Sequence, residues 1–270
     1  NGLVSNRFHR LHIAEPDEDK HYLPSHSLNT TIFSINMAAR LGFAMSEILE
    51  LGYGAVLHDV GMMRVKPEIV NKAQPLTPNE MAEIRMHPSF GLDLIHPIKS
   101  LPVTTPIICY QENERLDGSG YPMAKGTAIL LTFTRIVTIA ASYDAMTRTR
   151  PYRAALAPYD AITELLKAVH AGKLDSDCTR ALLETLSLFP ICSGVELSDG
   201  RVGYVLDTQG NNYTRPVIAI EYKNDGQPLD QELILDLQRT ENQAIRIVRA
   251  IPKYTRRVTG RTMKLPTTKA

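Results

Sequence analysis

No apolar run in this 270-residue sequence approaches the ~18 residues a membrane-spanning helix requires, and no secretory leader pattern is present. The three cysteines, Cys109, Cys178 and Cys192, are scattered and form no C-x-x-C pair. An odd, unpatterned set argues against a disulfide framework and for reduced thiols in a cytoplasm, which is the expected location. The net charge of +1 removes any global field that would gather DNA, RNA or a membrane surface. Internal repeats and low-complexity linkers are also missing. Charge of one sign gathers in a single place: residues 253–270 carry Lys253, Arg256, Arg257, Arg261, Lys264 and Lys269 and no acid. They are expected to be a solvated, frayed tail.

What is there is an ordinary globular composition, 43% hydrophobic and 22% charged, enough for one large domain or two small ones. The chain begins at Asn1, so residues 1–21 are expected to be the end of an upstream domain. Up to about Leu188 the apolar spacing is helical. Leu28, Ile32, Ile35 and Ala39 share one face, and Ser46 opens a second helix with Gly61 as its C-terminal cap. Thr77, Pro78 and Glu80 read as a capping box. Further helices are predicted over Val103 to Asn113, Leu131 to Met146, from Pro158 to Gly172, and from Asp175 or Ser176 to Pro190. Beyond that the period falls to two. VEL, RVGYVLD, PVIAIEY and ELILDL read as short strands separated by the turns SDG and KNDGQ. The expected architecture is mainly α: a helical bundle over 22–189, then a small antiparallel β-subdomain over 190–252.

Several polar residues fall where helices end. His58-Asp59 closes an apolar helix, and adjacent helical side chains point ~100° apart, so a bridging carboxylate there can serve two neighbouring ions. His26 and His87 sit at other helix ends. Three such histidines with Asp59 suit a mixed His/carboxylate site for Fe, Mn or a similar ion, while His9, His12, His21, His96 and His170 show no such placement. YQENERLDGSGYP, Tyr110 to Pro122, holds a glycine-rich turn whose amides can cradle a phosphate or simply reverse the chain. TRTRPYR sets Arg148, Arg150 and Arg153 just after a helix carrying Asp144. These arginines fit either phosphate recognition or a structural Arg–Asp network.

The ordered set His26, LHDVG, HPSFG, ERLDGSGYP and ASYDAMTRTRPYR resembles the HD-GYP family, bacterial cyclic di-GMP phosphodiesterases within the HD metal-hydrolase superfamily. The likeness runs from roughly Ser25 to Leu235. It implies an HD helical bundle in which His26, His58, Asp59 and His87 are metal ligands, Asp59 bridging. It further implies that Gly120 and Tyr121 contact a dinucleotide, and that Asp144, Arg150 and Arg153 receive its guanine and phosphate. Members of the family dock on diguanylate cyclase domains through the GYP surface, so such domains are an implied partner beside cyclic di-GMP or a related cyclic dinucleotide.

The departures fall on the chemistry. Two consecutive histidine ligands in the family are Glu112 and Asn113 here, an aspartate ligand is Ala141, and the phosphate-reaching lysine is Met62. A glutamate found in members with a third metal is Tyr22. A methyl group donates nothing to a metal, and a carboxamide oxygen is a weak, neutral ligand beside imidazole. The resemblance therefore implies two partial sites, His26/His58/Asp59 and Asp59/His87/Glu112, holding one divalent ion of the Fe or Mn class or none. No fully competent catalytic set is expected. Three functions stay open at this level: a degenerate module of cyclic di-GMP signalling, a phosphodiesterase using Glu112 as a substitute ligand, and a scaffold that binds neither metal nor nucleotide.

Overall fold

Thr77-Pro78-Asn79-Glu80 shows how local sequence fixes an element boundary. In the computed structural model the Glu80 carboxylate accepts from the Thr77 amide at 2.7 Å, and Thr77 Oγ1 accepts from the Glu80 amide at 3.3 Å. The reciprocal pair satisfies amide groups that the first turn of a helix leaves without partners. The structure describes residues 22–126, 130–149, 153–156, 158–186, 189, 193–207 and 214–251. His9, His12, His21, Cys192, Arg150 and the basic tail lie outside them.

The chain folds as two units, 1–156 with 160–185, and 157–159 with 186–270. The first is helical: α1 (Tyr22–Arg40), α2 (Met45–Leu57), a 3₁₀ turn (Val60–Arg64), α3 (Pro67–Val70), α4 (Pro78–Arg85), α5 (His87–Ile95), α6 (Thr104–Gln111), α7 (Thr132–Thr147), α8 (Pro158–His170) and α9 (Ser176–Leu186). Asp175 caps α9, its Oδ1 accepting from the Asp177 and Cys178 amides at 3.0 Å. α1 packs on α2 and α7, α2 also packs on α6, and α5 packs on the 3₁₀ turn and α6. Phe33 of α1 meets Tyr143 of α7 edge to face at 5.5 Å. Fully burying a side chain such as Phe33 stabilises the bundle by roughly 1.5–3 kcal/mol.

Leu28, Ile32, Ile35 and Ala39 do share one face of α1, but it is the outer one: Leu28 is 50% exposed and the other three are only half-buried. The buried face is His26, Asn29, Thr30, Phe33, Ser34 and Met37, more polar because α1 lines a polar centre. One expectation is corrected here. Gly61 does not cap α2, which ends at Leu57; Gly61 lies inside the 3₁₀ turn, where a Cβ would stand 1.9 Å from the His87 carbonyl oxygen. Its role is close approach of two backbones.

The second unit holds a five-stranded antiparallel sheet in the order β4-β3-β2-β1-β5. The strands are β1 (Gly194–Leu197), β2 (Val202–Asp207), β3 (Val217–Tyr222), β4 (Pro228–Asp236) and β5 (Ile247–Ile251). Val195, Leu197, Val205, Ile218, Ile220 and Leu237 form its core. Four strands fall where alternation predicts them; β5, which pairs with β1, was not expected. Arg215 ties the segment leading to β5 in place, its guanidinium donating to the carbonyls of Leu237, Asn242 and Ile245. Among the described residues no helix is long and apolar enough to cross a membrane.

Candidate metal centre

Five side chains from three helix ends and one helix face converge in the first unit. His26 projects from α1, His58 and Asp59 follow α2, His87 opens α5, and Glu112 ends α6. All are buried except the partly buried Asp59. Asp59 divides its carboxylate between two sides. Oδ2 lies 3.7 Å from His26 Nε2 and 3.9 Å from His58 Nε2, while Oδ1 lies 3.2 Å from His87 Nε2. Glu112 Oε1 stands 3.5 Å from the same His87 nitrogen. The donors of His26/His58/Asp59, and those of Asp59/His87/Glu112, each fall within 4.8 Å of one another. The two partial sets read from the sequence are thus brought together around one shared carboxylate.

The histidines are oriented from behind. His58 Nδ1 meets the Ala55 carbonyl at 2.7 Å and His87 Nδ1 meets the Ile84 carbonyl at 2.7 Å. A carbonyl only accepts, so both Nδ1 atoms carry the proton and both Nε2 atoms are turned inward. His26 Nδ1 makes the same kind of bond, 2.7 Å, to Asp144 Oδ2. Asp144 is in turn held by Asn29 Nδ2 at 2.8 Å and Arg148 Nε at 2.7 Å. Nitrogens turned inward around a carboxylate, with His26 and His58 Nε2 only 3.3 Å apart, are the donor set a divalent transition metal takes. The residues present fit an ion on the His26/His58 side.

On the other side the fit is poorer. Asn113 Nδ2 donates to Glu112 Oε1 and lies 3.1 Å from His87 Nε2, so a carboxamide spans two donor groups. Burial alone would lower the His87 pKa, but hydrogen bonds and charge from Asp59 and Glu112 override it and push it up to about 10. Burial likewise opposes the Asp59 anion, yet the charge of His58 and bonding and charge from His87 and His26 hold its carboxyl well below the ordinary range. Ala141, buried in α7, presents only a methyl group, and Met62 a thioether from the 3₁₀ turn.

The glycine-rich loop forms the adjoining wall. A Cβ on Gly120 would stand 2.4 Å from Glu114 Cα and 2.5 Å from the Asn113 carbonyl oxygen, so only glycine lets the loop lie on that backbone. Buried Glu114 secures the loop's exit, Oε1 accepting from the Met123 and Ala124 amides at 2.5 and 3.0 Å. Tyr121 stands edge-on to His87 with ring centroids 6.2 Å apart. Tyr22 stacks on His26 at 5.3 Å.

The expected nucleotide patch is placed differently in part. Asp144 is 2% exposed and spends its oxygens on His26, Asn29 and Arg148, so here it supports a ligand and presents nothing to a guanine. The structural Arg–Asp network is what Asp144 and Arg148 form. Arg153 is exposed and donates to the Ala145 carbonyl at 2.5 Å. The supporting roles of Asn29 and Glu114 were missed in the sequence. Asn29 was legible as the i+3 neighbour of His26; Glu114 carried no local signal of its loop-pinning role.

Residues 13–178 match the model of the HD domain family. The chain belongs to that family. Its motif string and relatives make it an HD-GYP member of it. Residues 194–257, which contain the sheet, match the KOW domain associated with HD domains. This HD-GYP chain is 29% identical over 228 residues to the cyclic di-GMP phosphodiesterase PA4108 of Pseudomonas aeruginosa, covering 84% of this chain and 54% of that protein. It is 32% identical over 170 residues to the response regulator RpfG of Xanthomonas campestris, a cyclic di-GMP phosphodiesterase, covering 62% and 44%. It is 28% identical over 174 residues to the 3'3'-cGAMP-specific phosphodiesterase 3 of Vibrio cholerae, covering 64% and 37%. The chain therefore spans about half the length of these relatives or less. Bd1817, an HDG"Y"P protein from Bdellovibrio bacteriovorus, shares the fold at a TM-score of 0.51 and 22% identity, covering 59% of this chain and 51% of that one.

Proposed function

We propose that this HD-GYP chain binds a cyclic dinucleotide, cyclic di-GMP first among them, and hydrolyses it very slowly or not at all, acting as a binding or protein-interaction module in second-messenger signalling. The observation that carries the proposal is the Asn113 carboxamide lying across Glu112 and His87, where the resemblance calls for an imidazole. An ion of the Fe or Mn class belongs on the His26/His58/Asp59 side. A divalent ion held there would supply polarisation of a phosphoryl oxygen and a lowered pKa for bound water. His26 and His58 hold their nitrogens toward it, Asp144 fixes His26, and Tyr121 and Gly120 form the wall against which the nucleotide rests. An in-line displacement also needs the attacking and leaving oxygens stabilised together, and Asn113, Ala141 and Met62 supply none of that charge. The GYP wall is the surface offered to a protein partner such as a diguanylate cyclase domain, in a cytoplasmic setting.

The test is metal content of anaerobically purified protein beside an assay of cyclic di-GMP linearisation. The expected result is one equivalent of iron or manganese or less, with turnover at least about 100-fold below that of a relative carrying the full ligand set. Two equivalents and family-like rates sink the proposal. The alternative, catalysis with Glu112 as substitute ligand, draws on the proximity of Glu112 to Asp59 and His87. It requires that Glu112→Ala remove both a bound ion and measurable hydrolysis.

A further inference from the structure

Arg85 is the last residue of α4, two positions before His87, and its side chain is exposed. Its guanidinium carbon lies 5.5 Å from the centroid of the Tyr121 ring. That ring is the one standing edge-on to His87, so Arg85 is fixed at the rim of the candidate centre. A guanidinium over an aromatic face is held by the ring's negative quadrupole while N–H donors on its edge remain available.

The surrounding arginines make contacts of their own. Arg115 donates to the Glu114 carbonyl at 2.9 Å, Arg148 is on Asp144, Arg64 faces Asp93 at 3.7 Å, and Arg153 donates to Ala145. Arg85 has no carboxylate partner among the described residues. The interior below it carries the carboxylates Asp59 and Glu112, which repel an entering phosphodiester. The 3₁₀ turn also reaches the start of α5 through Gly61, but it brings the uncharged Met62. Arg85 is thus a positive charge at this corner that is held on the ring beside His87 and keeps donors to spare.

We infer that Arg85 is a phosphate-binding residue of the nucleotide site, its fork closing on a phosphodiester oxygen of the bound cyclic dinucleotide while Tyr121 fixes the plane of the guanidinium. The inference rests on the nucleotide-binding reading above and adds the residue that takes the charge. Tyr121 acts through Arg85 as a positioning residue.

The test is titration calorimetry of the full chain with cyclic di-GMP, and separately with 3'3'-cGAMP, comparing the unaltered protein with Arg85→Ala and Arg85→Glu. Arg85→Ala is expected to weaken binding about 10- to 100-fold, the range of a lost charge-assisted hydrogen bond. Arg85→Glu is expected to weaken it further, and the gap between the variants is expected to narrow as salt rises. Both variants should melt within a few degrees of the parent, because the side chain is exposed. Equal affinity in the parent and Arg85→Ala overturns the inference and leaves the nucleotide reading standing. Ala and Glu variants of equal affinity, or a loss of affinity matched by a collapse in melting temperature, also overturn it, because the role is then packing. No heat from the unaltered chain with either nucleotide removes the site itself and the role of Arg85 with it.

Discussion

The two sides of Asp59 differ in how their donors are satisfied. On the His26/His58 side, imidazole nitrogens face one another at 3.3 Å with their outer nitrogens anchored, an arrangement that asks for a positive charge between them. On the His87/Glu112 side, the donors already satisfy each other: Asn113 bonds Glu112, and His87 is drawn toward both carboxylates. The difference teaches that two halves sharing one carboxylate can be satisfied in unlike ways. One side can keep the shape of a ligand set while the other becomes an internal polar network.

The strongest way to break that contrast is to rebuild the second side. Glu112→His, Asn113→His and Ala141→Asp together, with Met62→Lys, are expected to raise bound metal to two equivalents and linearisation of cyclic di-GMP by about 100-fold or more. Metal analysis and product chromatography read the outcome, and unchanged metal content would show that something other than these side chains closes the second side. Next in size is the first side alone. Asp144→Ala removes the group orienting His26 and should lower metal affinity about 10- to 100-fold in a competition titration with a chelating dye. Undiminished affinity would place the ion elsewhere.

A smaller effect tests the scaffold that the second side depends on. Gly61→Ala drives a methyl group into the His87 carbonyl and is expected to cost about 1–3 kcal/mol in urea unfolding. Any metal on the first side should be retained. The smallest effect is one of pH. Bonding and charge from Asp59 and Glu112 outweigh burial and push the folded pKa of His87 up to about 10, above the ordinary histidine range. Its pairing therefore stabilises metal-free protein fully below the ordinary histidine range and is lost as pH rises through about 10. Melting temperatures taken across that interval should fall, and the slope should flatten in His87→Gln. A rise over the same interval would contradict the polar network.

Much of the architecture was legible because its signals are local. The Thr77/Glu80 box, the Asp175 cap and the period-two strands each announce themselves within a few residues. Which face of α1 is buried was not legible for a physical reason: apolar periodicity finds the buried side only where the neighbours are apolar, and this helix turns His26, Asn29 and Thr30 inward. β5 was missed because Arg249 interrupts its short apolar run, and its support comes from β1, some fifty residues earlier. At the centre, His26, His58, Asp59, His87 and Glu112 could be named from sequence. The bridging place of Asp59 was implied by the resemblance; the inward duty of Asp144 was not, since it depends on distances across helices. The role of Arg85 is hidden in the same way, thirty-six positions from the ring it covers.

The carboxamide of Asn113 also has a mechanical consequence, because it reaches Glu112 and His87 from the same short stretch that carries the glycine-rich loop. Groups that bond one another across helix ends hold those ends in register without any further atom between them. The backbone under Gly120 is thereby anchored from inside the bundle as well as by its own turn.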